Sequence, residues 1–118
     1  MNRRALRFRW AALGLSLGIA SSAGAKDTFW VIGFGIRSCG DWTAARRAPS
    51  SWEALARGEW ILGYVVGVAE ETHIDLLRGT DADGVWAWID NYCATDPLKT
   101  QKNAADAFIT SVLRRKFP

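Results

Sequence analysis

One run in the middle of the chain constrains the fold more than any other feature of the sequence. Residues 50–71 read SSWEALARGEWILGYVVGVAEE, in which Ser50 and Glu53 have the spacing of a capping box and predict a helix with Ser50 as its N-cap. The stretch 60–69 is apolar on every side, so we expect this helix to run through the middle of the fold. One stripe at helical spacing is predicted to be buried, and it comprises Trp52, Leu55, Ala56, Trp60, Gly63, Tyr64 and Gly67.

Two glycines of this helix are predicted to be helix-packing residues. Gly63 and Gly67 lie four residues apart on one face, and each costs up to about 1 kcal/mol of helix propensity. We expect the close approach of another helix to offset that cost. A membrane dimer of the GxxxG type would need an apolar stretch of about 20 residues, which is absent around these glycines.

Two further helices are predicted from their caps and apolar spacing. Thr80 or Asp81 is predicted to cap a third helix, and Asp96 to cap a fourth that begins at Pro97, where the missing N–H costs nothing. The residues predicted to face inward from these two helices are Val85, Trp88, Ile89, Tyr92, Leu98, Ala105, Phe108, Ile109 and Val112.

The part of the chain ahead of the central helix is less regular. Residues 26–38, KDTFWVIGFGIRS, are rich in β-branched and aromatic residues and are interrupted by glycine, which predicts an irregular lead-in or a short edge strand. Asp41 is predicted to cap a short helix over residues 42–47. The predicted fold is therefore a small all-α bundle of about four helices with an irregular or short-strand N-terminal segment.

The first 25 residues have the three parts of a secretory signal peptide. MNRRALRFRW carries four arginines and no acid, an apolar stretch of about a dozen residues follows, and AGA precedes Lys26. A membrane anchor would need about 20 apolar residues, and this stretch is shorter. We therefore expect cleavage after Ala25, a single mature domain over residues 26–118, and a periplasmic location.

Cleavage changes the charge of the protein. The whole chain has 15 Lys and Arg against 12 Asp and Glu, and the four arginines of the signal leave with it, so 11 basic and 12 acidic residues remain. This balance gives no basic patch for nucleic acid or anionic lipid. We expect no nucleic-acid partner and no stable insertion of the mature chain into a membrane.

The two cysteines, Cys39 and Cys93, are predicted to form one disulfide. An exported chain folds in an oxidising compartment, and two cysteines allow only one pairing. A zinc site would need close ligand pairs, and neither cysteine has another Cys or His within four residues. Closing a loop of about 55 residues stabilises by roughly 4 kcal/mol, which is a large part of the stability of a domain this small.

Two groups of polar residues are candidates for chemistry. His73 is the single histidine, but no recognisable motif places a nucleophile with it. Asp81, Asp83 and Asp90 fall on three positions of a calcium loop, whose first position would be Gly79 and whose twelfth lacks the usual Glu. A solvated helix end and helix capping explain these residues without chemistry. We predict no catalytic residue, cofactor or metal, and whether either group binds a metal stays open on the sequence.

The aromatic residues of the N-terminal part are predicted to contact a protein partner. Trp30, Phe34 and Trp42 crowd a segment too irregular to bury all of them in a helical stripe. Large aromatic anchors are typical of protein interfaces. The disulfide would reduce the entropy that this segment loses when it meets a partner.

Three motifs resemble parts of a group of small exported helical proteins. They are GYVVGVAEE on the central helix, W-x-x-x-YC-x-x-x-P at the end of the next, and AADAFITSVL on the last, with Gly63-Tyr64, Gly67, Tyr92-Cys93 and Pro97 as the specific matches. The chain is similar over residues 51–115 to the immunity proteins of the Tai type, which protect bacteria against type VI secretion amidase effectors. It also resembles in plan the HdeA family of acid-stress chaperones. The resemblance implies a small helical fold, and no effector-binding residue follows from the matched positions.

Three classes of function stay open on the sequence. We favour a protein-binding module of the periplasm, which the resemblance specifies as an immunity-like inhibitor of a secreted effector, and we expect no enzymatic activity. The alternative is an acid-stress chaperone whose fold opens when its carboxylates take up protons. An enzyme comes third, with only His73 and its neighbouring carboxylates to offer. The identity of the protein partner and the formation of a homodimer are also left open.

Overall fold

The computed structural model describes residues 30–118, and the predicted cleavage after Ala25 lies outside them. This part of the chain contains one 3-10 helix, η1, and four α-helices, and it has no strand. The prediction of a small all-α bundle is therefore confirmed. The bounds of the elements are Gly33–Ile36 for η1, Cys39–Arg46 for α1, Trp52–Thr72 for α2, Ala82–Thr95 for α3 and Gln101–Lys116 for α4.

Each α-helix begins at a polar side chain that accepts a hydrogen bond from the backbone of its first turn. The capping residues, in chain order, are Ser38, Ser51, Asp81 and Thr100. Asp81 is one of the two caps predicted for the third helix. The caps predicted at Asp41, Ser50 and Asp96 are wrong. The N-cap position is held instead by Ser38, Ser51 and Thr100, and the side chain of each accepts a hydrogen bond from the backbone N–H three residues later.

The start of α4 is set by a pairing that is distant in sequence. Residues 37–40 and 97–101 run antiparallel, and Cys39 N donates to Lys99 O at 2.7 Å. Residues 96–99 form a turn in which Lys99 N donates to Asp96 O at 3.3 Å, and Thr100 is extended, so α4 does not begin at Pro97. Thr100 then caps α4 in a capping box with Asn103.

The core lies between the four helices, each of which contacts the other three. Among the residues predicted to face inward from the third and fourth helices, only Leu98 is on the surface, with 91% of its area exposed. No helix within residues 30–118 is long and apolar enough to cross a membrane. The large apolar residues of the core are Trp42, Ile61, Val65, Leu76, Val85, Ile89, Phe108, Ile109 and Val112.

The central helix α2 turns a different face to the core from the one predicted. Its buried residues are Ala54, Arg57, Gly58, Ile61 and Val65, whereas Trp52 is 76% exposed. Since residues 60–69 are apolar on every side, spacing alone did not determine which side would face the core. Ile61 and Val65 take the inner positions, and Trp60 lies at the edge of the core, half-buried.

The predicted disulfide between Cys39 and Cys93 is present, and both cysteines are buried. It joins the first residue of α1 to the last turn of α3, across 54 positions of sequence. The antiparallel pairing of residues 37–40 with 97–101 begins at the same place. The N-terminal segment is therefore attached to the bundle both covalently and by backbone hydrogen bonds.

The prediction that Gly63 and Gly67 are helix-packing residues is wrong. Both lie on the exposed side of α2, and a Cβ added at either position would meet nothing within 4 Å. The close approach of another helix occurs at Gly58 instead, where an added Cβ would come within 2.7 Å of the Trp86 ring of α3. The packing glycine of α2 therefore lies on the face that the pattern did not select.

Gly63→Ala and Gly67→Ala are each expected to stabilise the protein by about 0.4–1 kcal/mol. Alanine fits the open space, favours the helix and restricts the unfolded chain. The free energy of unfolding in urea measures the effect. Gly58→Ala is the matched control in the same helix, and it is expected to cost about 1–3 kcal/mol because its Cβ must displace the Trp86 ring. A loss of stability in the first two variants would contradict the open environment of both glycines.

Candidate partner-binding surface

The segment ahead of α1 presents three large apolar side chains to solvent. Trp30, Ile32 and Ile36 are 94%, 82% and 58% exposed. We call these three residues the N-terminal apolar surface. Isolated apolar side chains are common on protein surfaces, but several large ones within a short segment are typical of interaction sites.

The backbone beneath the N-terminal apolar surface is held against α2. The Phe34 ring packs against the Arg57 guanidinium, whose Cζ lies 4.8 Å from the ring centroid. Gly35 lies so close to the Trp60 ring that an added Cβ would overlap the ring. Together with the pairing to residues 97–101, these contacts hold residues 33–40 in place before any partner arrives. A fixed segment loses less conformational entropy on binding than a free one does.

Arg57 is an unusual support, because its side chain is almost completely buried within α2. A buried guanidinium needs a counter-charge. Glu53, one turn earlier, supplies it by accepting hydrogen bonds from Nη2 at 2.6 Å and from Nε at 3.2 Å. Phe34 covers one face of the guanidinium. The ion pair and the ring therefore support each other, and Phe34 acts as the anchor of the segment.

A second support connects Trp60 to α4. The Trp60 ring stacks on Tyr64 with centroids 5.4 Å apart, and Asp106 accepts hydrogen bonds from Tyr64 Oη and from Lys102 Nζ, each at 2.7 Å. Burial, and then the bond to Asp106, raises the pKa of Tyr64 above its usual 10.0. The bond to Asp106 raises the pKa of Lys102 above its usual 10.5. Both pKa values are raised in the folded protein. The stability that Tyr64 and Lys102 contribute is therefore present at neutral pH and is lost only as the pH rises through these two pKa values.

The prediction that Trp42 contacts a partner is wrong. The side chain is 0% exposed, and its Nε1 donates to Asp90 Oδ1 at 2.7 Å. Arg46 forms an ion pair with the same carboxylate at 3.1 Å. Trp42 therefore belongs to the contact between α1 and α3, with neither its ring nor its N–H available to a partner. Trp30 is exposed as a partner contact requires, whereas Phe34 is half-buried as an anchor.

The residues considered for metal binding or catalysis are dispersed. Asp81 caps α3, and Asp90 is bound to α1 as described above. Asp83 is exposed in the first turn of α3, and His73 is the exposed C-cap of α2 in a left-handed conformation with φ of 55°. Over residues 30–118 no group of three or more His, Cys, Asp or Glu side chains is arranged to hold a metal ion.

Some residues of the surface and its supports were not predicted from the sequence. Ile32 and Ile36 were missed, although large apolar residues occupy every second position from Trp30 through Ile36, a spacing typical of one side of an extended segment. Arg57 had no comparable signal. Arginine is rarely buried, and its burial depends on which face of α2 meets the core.

Comparison with known proteins does not indicate what this surface binds. No protein-family model, curated protein or solved structure matches the chain.

Proposed function

We propose that this protein is a protein-binding module of the periplasm and that the N-terminal apolar surface is its contact with a protein partner. The exposure of Trp30 and Ile32, directly ahead of a segment that is held against α2 from Gly33 onward, supports this most directly. Full burial of one such side chain is worth on the order of 2 kcal/mol. A partner that covers both would therefore gain affinity, and because the segment that follows them is already held in place, the ordering cost is limited to these few residues.

The charges beside this surface support a particular kind of partner. Arg37 and Lys99 belong to the paired segments and are exposed, and neither forms an ion pair within the described part of the chain. A complementary surface would offer an apolar pocket for Trp30 with acidic residues at its rim. The resemblance to Tai-type immunity proteins supports the narrower proposal that this partner is a secreted effector and that binding inhibits it.

The double variant Trp30→Ala/Ile32→Ala is expected to weaken partner binding at least about thirtyfold. Truncating an aromatic anchor at the centre of an interface costs about 2 kcal/mol or more. The partner is first captured with the tagged protein from periplasmic extract and culture supernatant. Its affinity is then measured by calorimetry for the wild type and for each variant.

Two controls separate this effect from a loss of stability. Phe117→Ala truncates another exposed aromatic residue, just beyond the end of α4, and should leave the affinity unchanged. The melting temperature of the double variant should equal that of the wild type, because neither side chain is part of the core. Wild-type affinity in a correctly folded double variant would reject this surface as the contact.

An acid-activated chaperone is the second candidate, supported by the polar links between helices. Asp90 accepts hydrogen bonds from Trp42 and Arg46 of α1, and Asp106 accepts one from Tyr64 of α2. Each of these carboxylates joins two helices through bonds to its oxygens, so neutralising the carboxylates would weaken the links between the helices. The two proposals predict binding at different pH. A chaperone exposes apolar surface and binds many clients near pH 3, whereas an immunity-like module binds one partner at neutral pH.

A further inference from the structure

A cavity of about 480 Å³ lies at the far end of α4 from the N-terminal apolar surface. It is lined by the loop between α2 and α3, the start of α3 and the end of α4. Its volume is in the range of small-molecule sites. The start of α4 pairs with the N-terminal segment, so the cavity lies about 20 Å from that pairing along the helix. The two places can therefore act independently.

The floor of this cavity is apolar. Leu76, Phe108 and Val112 line it and belong to the buried core. Trp88 stands edge-on to Phe108, with the ring centroids 5.5 Å apart. A ligand in the cavity would therefore meet the half-buried Trp88 ring and the small exposed parts of Leu76, Phe108 and Val112.

The rim of the cavity is basic. It is formed by Arg78, Arg115 and Lys116. Arg78 is paired with Asp75 at 2.8 Å, whereas Arg115 and Lys116 form no ion pair within residues 30–118. Basic side chains in the last turn of α4 interact favourably with the helix dipole. This accounts for the basic residues at this end of the helix, but not for the cavity that they border.

The nearest acids of α3 do not line the cavity. Asp81 and Asp83 lie at the start of this helix, outside the lining. The Asp81 carboxylate already accepts the Gly84 N–H at 2.8 Å. The charges that remain unpaired on the lining itself are therefore positive.

We infer that this cavity binds a small amphiphilic carboxylate, an acyl chain with one carboxylate head. The head lies between Arg115 and Lys116, and the chain lies against Trp88 and Phe108. A carboxylate only accepts hydrogen bonds, and charge-assisted bonds to basic side chains are the strong ones. The head and the chain each match one part of the lining.

The lining favours this ligand over a peptide. The Thr80 hydroxyl is the single side-chain acceptor among the lining residues. A peptide segment would bring N–H donors that the basic side chains of the rim cannot accept. An acyl chain brings no donor at all.

Titration of the purified protein with sodium decanoate tests the inference. Calorimetry should show saturable binding of one decanoate per chain, and the amide resonances of Gly79 and Gly84, which line the cavity, should shift. Arg115→Gln/Lys116→Gln should weaken binding at least about tenfold, because it removes two charged donors. Arg47→Gln removes an exposed cation that does not line the cavity and is expected to leave the affinity unchanged.

Two further probes separate the head from the chain. Decylammonium has the same chain with the opposite charge and should not bind. Inorganic phosphate has the negative charge without a chain and should bind at least about tenfold more weakly than decanoate does. Equal affinity for either probe would overturn the inference, as would the lack of saturation by decanoate. Shifts confined to resonances outside the cavity would also overturn it, whether or not the double variant folds.

Discussion

The variant Cys39→Ser/Cys93→Ser is expected to lose about 4 kcal/mol of stability, with little folded protein left at about 37 °C. The disulfide closes a loop between residues 54 positions apart, and opening it restores that freedom to the unfolded chain. The whole stability of a domain this small is of the order of 5–10 kcal/mol. Both cysteines are buried, so two serine hydroxyls in the core add a further cost.

Urea unfolding followed by circular dichroism measures this loss. Cys39→Ala/Cys93→Ala removes the bridge without adding hydroxyls and is expected to lose slightly less stability than the serine pair. Wild-type protein in a reducing agent should approach the alanine pair. A loss below about 1 kcal/mol in all three would mean that the bundle does not depend on the bridge. The sequence separation between the cysteines would then overstate the freedom of the unfolded chain.

Features that depend on neighbouring residues were predictable from the sequence. The third helix was found because Asp81 stands just before an apolar stripe, and Val85 and Ile89 of that stripe are buried as predicted. The pairing of Cys39 with Cys93 needed only the cysteine count and an oxidising compartment. No long-range geometry entered either prediction.

Features that depend on distant contacts were not predictable. The beginning of α4 depends on the pairing of residues 97–101 with 37–40, and neither segment signals this alone. In α2, apolar residues on every side left the orientation to the packing of Trp86 against Gly58, a contact between two helices. For the same reason the sequence pattern predicted Gly63 on the buried face of α2, whereas it lies on the exposed face.

At the candidate surface, too, the features that could not be predicted depend on distant contacts. Trp30 and Trp42 are both tryptophans of the N-terminal part, and their sequence neighbourhoods do not separate an exposed residue from a buried one. Their difference comes from Asp90, which lies 48 positions beyond Trp42 and accepts its N–H. Trp30 has no corresponding role in the core and is 94% exposed. The two tryptophans should therefore respond in opposite ways to truncation.

Trp42→Ala is expected to destabilise the protein by about 3–5 kcal/mol, the usual cost of removing a buried tryptophan. The variant leaves a cavity between α1 and α3 and takes from Asp90 the hydrogen bond at 2.7 Å. It also removes the ring that faces the Arg46 guanidinium, whose Cζ lies 5.7 Å from the ring centroid. Urea unfolding and far-UV circular dichroism would show a lower midpoint and a loss of helix under conditions in which the wild type is folded.

Two variants show whether the ring or its N–H carries this effect. Trp42→Phe keeps most of the apolar volume but removes the donor to Asp90, and it is expected to cost about 1–3 kcal/mol. Trp30→Ala truncates the same residue type at the surface and should change the unfolding free energy by less than about 0.5 kcal/mol. If Trp42→Ala unfolded at the wild-type midpoint and instead lost partner binding, the ring would belong to the interface. The assignment of binding to Trp30 and Ile32 would then have to be abandoned.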